Sequence, residues 1–96
     1  MRRMITEKDF ERLVCMVQVS DINNMSDEVL ENLRAGDIVV KQTGNQEHAY
    51  HVTYKEEHHG ICISYYDASC VETVSYDYAD GHWVYNSTDI TIIGGN

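Results

Sequence analysis

Apolar positions recur along this chain with two different periods. Before Gly36 the spacing is helical: Phe10, Leu13, Val14 and Val17 fall at i, i+3, i+4 and i+7, one stripe on a helix. Glu7, Lys8, Glu11 and Arg12 lie off that stripe, where charge stays solvated. Thr6 can accept from the backbone N–H near Asp9, so the pattern predicts a helix over 5–19. Ser20-Asp21-Ile22-Asn23-Asn24 then breaks the period with turn formers. A second, short helix is predicted over 26–35. Ser26 is its N-cap, Asp27 and Glu28 sit at the positive end of its dipole, and Gly36 suits the position just past its end. Met25 is placed to pack on Leu30 as a hydrophobic staple.

Beyond Gly36 the period falls to two. Ile38-Val39-Val40-Lys41 leads to a Gly44-Asn45 turn, after which Tyr50, Val52 and Tyr54 alternate with His51 and Thr53. Glu56-Glu57-His58-His59-Gly60 reads as a hairpin connection, and Ile61, Ile63 and Tyr65 then share a face. Val74, Tyr76 and Tyr78 alternate with Thr73, Ser75 and Asp77. Asp80-Gly81 is a primed hairpin turn from which Trp83, Val84 and Tyr85 return, and 88–93 make a last short strand. Strands joined by turns this tight cannot be parallel, because a parallel crossover needs about a dozen residues. The expected fold is α+β in one domain, 1–96: two helices packed on an antiparallel meander of five to six strands over 37–93. By analogy, so small and bent a sheet could close as an SH3-like barrel. Ile38, Val40, Val52, Ile61, Ile63, Val74, Val84, Ile90 and Ile92 would be its core, with the Phe10/Leu13/Val14/Val17 stripe covering an apolar face.

Charge narrows the partners. Seven Lys+Arg against sixteen Asp+Glu give a net charge of −9 over 96 residues. Most of it falls after residue 35: 1–35 carry five cations and seven acids, and 36–96 carry two cations and nine acids. That imbalance argues against direct contact with nucleic acid or an anionic membrane, both of which need clustered cations. No apolar run approaches the roughly 20 residues that span a bilayer. Arg2 and Arg3 have no apolar stretch behind them, so no secretory signal is expected. Three dispersed cysteines, Cys15, Cys62 and Cys70, suit thiols in a reducing compartment, with a Cys62–Cys70 bridge left dependent on strand register. Asn86-Ser87-Thr88 matches a glycosylation acceptor but, without a signal, reads as a turn.

The sequence offers no reactive constellation. His48 and His51, three apart on a strand, point to opposite faces, and His58 and His59 are adjacent in a turn. Neither arrangement offers four converging ligands, so no metal is expected. No motif joins a cysteine to a histidine, as thiol catalysis requires. The acids Glu56, Glu57, Asp67, Glu72, Asp77 and Asp80 read as a solvated rim rather than a facing pair in a cleft. Gly94-Gly95 and Gly44-Asn45 are not a phosphate loop. The expectation is a protein that is not an enzyme and holds no cofactor.

All seven tyrosines and the one tryptophan lie in residues 50–85. A core accounts for Tyr50, Tyr54 and Trp83, but not easily for all, since each buried hydroxyl needs a partner. The rest are either cross-strand ladders that brace the sheet or an acidic, tyrosine-rich recognition face. The candidate protein-binding residues are Tyr65, Tyr66, Tyr76, Asp77 and Tyr78.

Gly36-Asp37-Ile38-Val39-Val40-Lys41, Gly44-Asn45 and Tyr50-His51-Val52-Thr53-Tyr54-Lys55 carry the first half of a resemblance. Val71-Glu72-Thr73-Val74-Ser75-Tyr76-Asp77-Tyr78 and Trp83-Val84-Tyr85 carry the second. Over 36–93 the chain resembles small domains of tailed gut bacteriophages, including head-fibre proteins. The resemblance implies a non-enzymatic, virion-associated cap or adaptor, found on the virion or in the bacterial cytoplasm, that binds a protein or self-associates as a homo-oligomer. With neither heptads nor a Gly-X-Y repeat, a fibre shaft is not expected. The alternative is a small acidic inhibitor that occupies the basic groove of a host nucleic-acid-binding protein.

Overall fold

The computed structural model describes residues 14–93. Six strands form one sheet: β1 (Met16–Val19), β2 (Ile38–Thr43), β3 (Gln46–Glu56), β4 (Gly60–Tyr66), β5 (Cys70–Ala79) and β6 (His82–Ile92). One short helix, α1 (Asp27–Asn32), lies between β1 and β2. The spatial order is the chain order, β1 to β6, so among the described residues β1 and β6 are the two edges of the sheet and do not pair with each other to close a barrel. Strands β2 to β6 form the antiparallel meander that tight turns require. Asp80 and Gly81 take φ of 55° and 80°, the two left-handed residues of a primed turn.

The N-terminal expectation is overturned where it can be followed. The predicted helix over 5–19 is not a helix at 16–19, which pair with β2 in parallel, Met16 opposite Ile38 through Val19 opposite Lys41. Its part over 5–13, with Phe10 and Leu13, lies outside the described residues. Val14, from the same stripe, is exposed. The reason is that Val17 and Val19 also satisfy a period of two. Pairing with β2 sets Val17 beside Val39, where both valines pack on the core. The β1-to-β2 connection contains α1 and is long enough for a parallel crossover, which the count of tight turns did not weigh. Among the described residues the fold is therefore a mixed six-stranded sheet with one short helix, and the sheet is not the purely antiparallel one expected.

The N-terminal signals hold at α1, but the helix ends short of the expected residue 35, so Gly36 does not stand just past its end. The Ser26 hydroxyl accepts from Val29 N, Asp27 and Glu28 occupy the first turn, and Met25 and Leu30 both join the core. The helix stops at its C-cap, Leu33. Asp37, buried, closes the crossover by accepting from Arg34 N (2.9 Å) and Cys15 N (3.0 Å). The crossover lays Ile22, Met25, Leu30 and Leu33 on one sheet face, against Val39, Tyr50, Val52, Ile61, Ile63, Val74, Tyr76 and Trp83. Each such side chain contributes about 1.5–3 kcal/mol when fully buried.

Two bulges decide which residues reach this face. A register shift between Val52 and Tyr54 turns Tyr54 outward and Lys55 inward. A second shift pairs Ser75 with Ser87 but Tyr76 with Tyr85, leaving Asn86 extra in β6. It places Trp83 and Tyr85 on the face of Tyr76 and sends Val84 to the other, where it is exposed. Of the predicted core, Val40, Val52, Ile61, Ile63 and Val74 are buried and Ile38 half-buried, while Val84, Ile90 and Ile92 are exposed. Among the described residues no helix is long and apolar enough to cross a membrane.

Candidate functional site

The crossover is bolted to one end of the sheet face. Tyr76 anchors it through a single phenol, whose hydroxyl donates to Ile22 O (2.8 Å) and accepts from Met25 N (3.0 Å). Burial raises its pKa, so the hydroxyl keeps its proton and its role as donor. Asp27 accepts from Trp83 N through Oδ1 (3.1 Å) and faces His82 Nδ1 through Oδ2 (3.1 Å). The hydrogen bond with His82 is the main reason its carboxyl pKa is lowered. Glu31 accepts from Trp83 Nε1 (3.0 Å) and meets His58 Nε2 at 3.4 Å. Lys55, turned inward by the bulge, donates to the terminal carbonyls of α1: Leu30 O (2.9 Å), Glu31 O (2.9 Å) and Leu33 O (2.6 Å). An ammonium at a helix C-terminus meets carbonyls that have no partner within the helix. Burial pulls the Lys55 pKa down while nearby acids, Glu31 first, pull it up.

Beyond the reach of the crossover the same face continues, and among the described residues nothing covers its far end. Tyr50 is the last fully buried ring, and its hydroxyl donates to Glu72 Oε2 (3.1 Å). Burial, reinforced by the Glu72 charge, raises the Tyr50 pKa. The Tyr65 ring lies 5.2 Å from that of Tyr50 and 4.8 Å from that of His48. Next to Glu72 on β6 stands Ile90, 63% exposed, and opposite Cys70 stands Ile92, 69% exposed. Ile93, also exposed, ends this row and donates its N–H to Ser69 O (2.8 Å). Aliphatic side chains placed by β6 on a core-bearing face are thus left in water.

The five candidate residues do not share one face. Tyr65, Tyr76 and Tyr78 stand on the crossover side. Tyr76 is buried there, while Tyr65 and Tyr78 are half-buried against the core. Tyr66 and Asp77 stand on the opposite face, Tyr66 against His51 with rings 6.4 Å apart and Asp77 opposite Gly60 and Val84. Tyr65 and Tyr66 are adjacent to the uncovered end through their β5 partners Glu72 and Val71. Tyr76 and Tyr78 belong to the bolted end, where Tyr78 packs 4.9 Å from Trp83. Sequence reasoning missed Ile90 and Ile92 as surface residues. Alternation assigned them correctly to the core side, but only the length of the crossover decides whether that side is covered.

Reactive groups are dispersed. Among the described residues no three or more His, Cys, Asp or Glu side chains are grouped to hold a metal. Cys62 and Cys70 form no disulfide. Burial pushes the Cys62 thiol pKa up, away from a thiolate. The cleft beside the end of α1 is lined by Glu31, Leu33, Arg34, Lys55 and Glu57, and its ammonium is already engaged by the helix carbonyls. What the uncovered end offers is mainly the apolar contact of Ile90 and Ile92, beside Glu72 and Cys70 of β5. No family model matches this chain, and no curated protein or solved structure matches it.

Proposed function

We propose that the chain is a non-catalytic module that works through protein–protein contact, with the uncovered end of the sheet as its contact surface. The observation that carries this reading is the exposure of Ile90 and Ile92, 63% and 69%, on a face whose other half is sealed. Exposed aliphatic side chains gathered beside aromatic ones are a feature of interaction surfaces. Burying each isoleucine against a partner would recover up to about 1.5–3 kcal/mol. Of the five candidate residues, Tyr65 stands on this face beside Glu72, Tyr66 lies at the same end but on the opposite face, and Tyr76, Asp77 and Tyr78 lie toward the other end of the sheet. A virion-associated cap or adaptor, the role implied by the resemblance to phage head-fibre domains, is the setting proposed for that contact.

A photo-reactive side chain tests the reading. Placed at position 92 in the native host, it should yield a protein adduct that is missing when the same group stands at position 80, in the exposed turn at the other end. Equal adducts at both positions, or none at 92, overturn the proposal.

A further inference from the structure

We propose that the partner at this surface is a second copy of the chain, joined through the outer edge of β6 in a closed two-fold dimer whose sheet runs through both copies. This rests on the contact reading above and names its partner.

The two edges of the sheet are unequal. β1 has 4 residues and β6 has 11. The outward backbone groups of an edge strand are a template for another strand, and proteins commonly guard them with lysine, proline or a bulge. β6, His82 to Ile92, contains no lysine or proline, and its one acid is Asp89. Its bulge sits at Asn86 and interrupts the first half, so 88–92 remain as a regular, unguarded ladder. Among the described residues no strand pairs with that side of β6.

Symmetry then selects the register. In an antiparallel pair, residues directly opposite each other share a face. Thr88, Ile90 and Ile92 stand on the crossover side, opposite Val74, Glu72 and Cys70 of β5. A two-fold axis at Ile90 pairs Ile90 with itself, Thr88 with Ile92 and Asp89 with Thr91. That register gathers the exposed isoleucines of both copies into one strip, bordered on β5 by Glu72 and Cys70. It also keeps the two Asp89 carboxylates from facing each other, as an in-register parallel pair would not. The Asp80 turns fall at opposite ends of the pair, which separates acid-bearing regions of two chains that each carry −9. Pairing β6 with β1 instead would be head-to-tail and open-ended, and β1 offers only its 4 residues to it.

Sedimentation of the full chain under reducing conditions provides the test. The expected result is a concentration-dependent dimer that tightens as salt screens the two net charges. Ile90→Lys should weaken it by roughly tenfold or more, at unchanged circular dichroism. Val84→Lys, on the same strand but before the bulge and on the other face, should leave it intact. A second variant covers the case in which Ile90→Lys misfolds. Ile90→Cys, oxidised and mapped by mass spectrometry, should link position 90 to position 90, since directly opposed Cβ atoms lie about 4.5–5.5 Å apart. A monomeric wild type, an open-ended polymer, a dimer equally lost by Val84→Lys, or no 90–90 link overturns the proposal. Should the wild type be monomeric while the group at position 92 still captures another protein, the dimer falls and the contact reading stands. A self-adduct at 92 supports both.

Discussion

The crossover face has two ends built from similar residue types and finished in opposite ways. At one end Val74, Tyr76 and Trp83 lie under Ile22, Met25, Leu30 and Leu33, and their polar atoms are bonded to the crossover. At the other, past the buried Tyr50 and half-buried Tyr65, Ile90 and Ile92 continue the same alternation with nothing from the described chain laid over them. β-Sheet alternation chooses the side on which a residue stands. Whether that side is sealed depends on how far a separate segment reaches.

Substitutions in the two ends should separate them, most sharply through packing. Leu30→Ala, at 0% exposure, should lower stability by about 2–5 kcal/mol in urea denaturation. Ile90→Ala, in dilute protein, should change it by less than about 0.5 kcal/mol. Similar losses at both positions would erase the contrast. Tyr76→Phe should cost about 1–3 kcal/mol, because it strands the buried Ile22 carbonyl and Met25 N–H. A neutral result there would mean that the crossover is held by packing alone.

Smaller effects refine the picture at the bolted end. Lys55→Met keeps the length of the side chain but removes the donor to three carbonyls; a loss of about 1 kcal/mol is expected, with faster amide exchange in α1. Asp27 should give the gentlest signal. Its carboxyl pKa is lowered below 3.8 in the folded chain. Its contribution is therefore complete above the ordinary carboxylate pKa and is lost as pH falls through the lowered one. Trp83 fluorescence should report loosening on that acid side, and Asp27→Asn should remove the step. A Trp83 signal indifferent to both would detach Asp27 from the clamp.

Features that depend on neighbours in the chain were legible in the sequence, and those that depend on distant partners were not. Ser26 as N-cap, the Asp80-Gly81 turn and the alternation through Tyr50 and Val52 rest on a few adjacent residues, and each is found where its chemistry places it. Val17 and Val19 satisfy two periods at once, and the parallel pairing with β2 that decides between them lies some twenty residues away. Bulges are equally silent. Nothing in Thr53 or Asn86 announces the shift that turns Lys55 inward and Val84 outward. The candidate site suffered from the same blindness: Tyr65 borders the uncovered end, but the isoleucines across β5 from it looked like core. Ile22 and Asp37, placed in a turn and at a strand start, proved to be a core residue and a buried acceptor because the crossover folds back on them.

The Tyr76 anchor also sets an order of events. Its hydroxyl joins residues 51 and 54 positions apart in the chain, and the Asp27 and Glu31 bonds to β6 span as much. Contacts this remote close late, after hairpins whose partners lie a few residues apart. Lys55 of β3 and Asp37 can grip the crossover earlier, but these longer bonds form only once β5 and β6 are in place. On the ribosome the crossover emerges first, and its Tyr76, Asp27 and Glu31 bonds can close only after β5 and β6 have been synthesised.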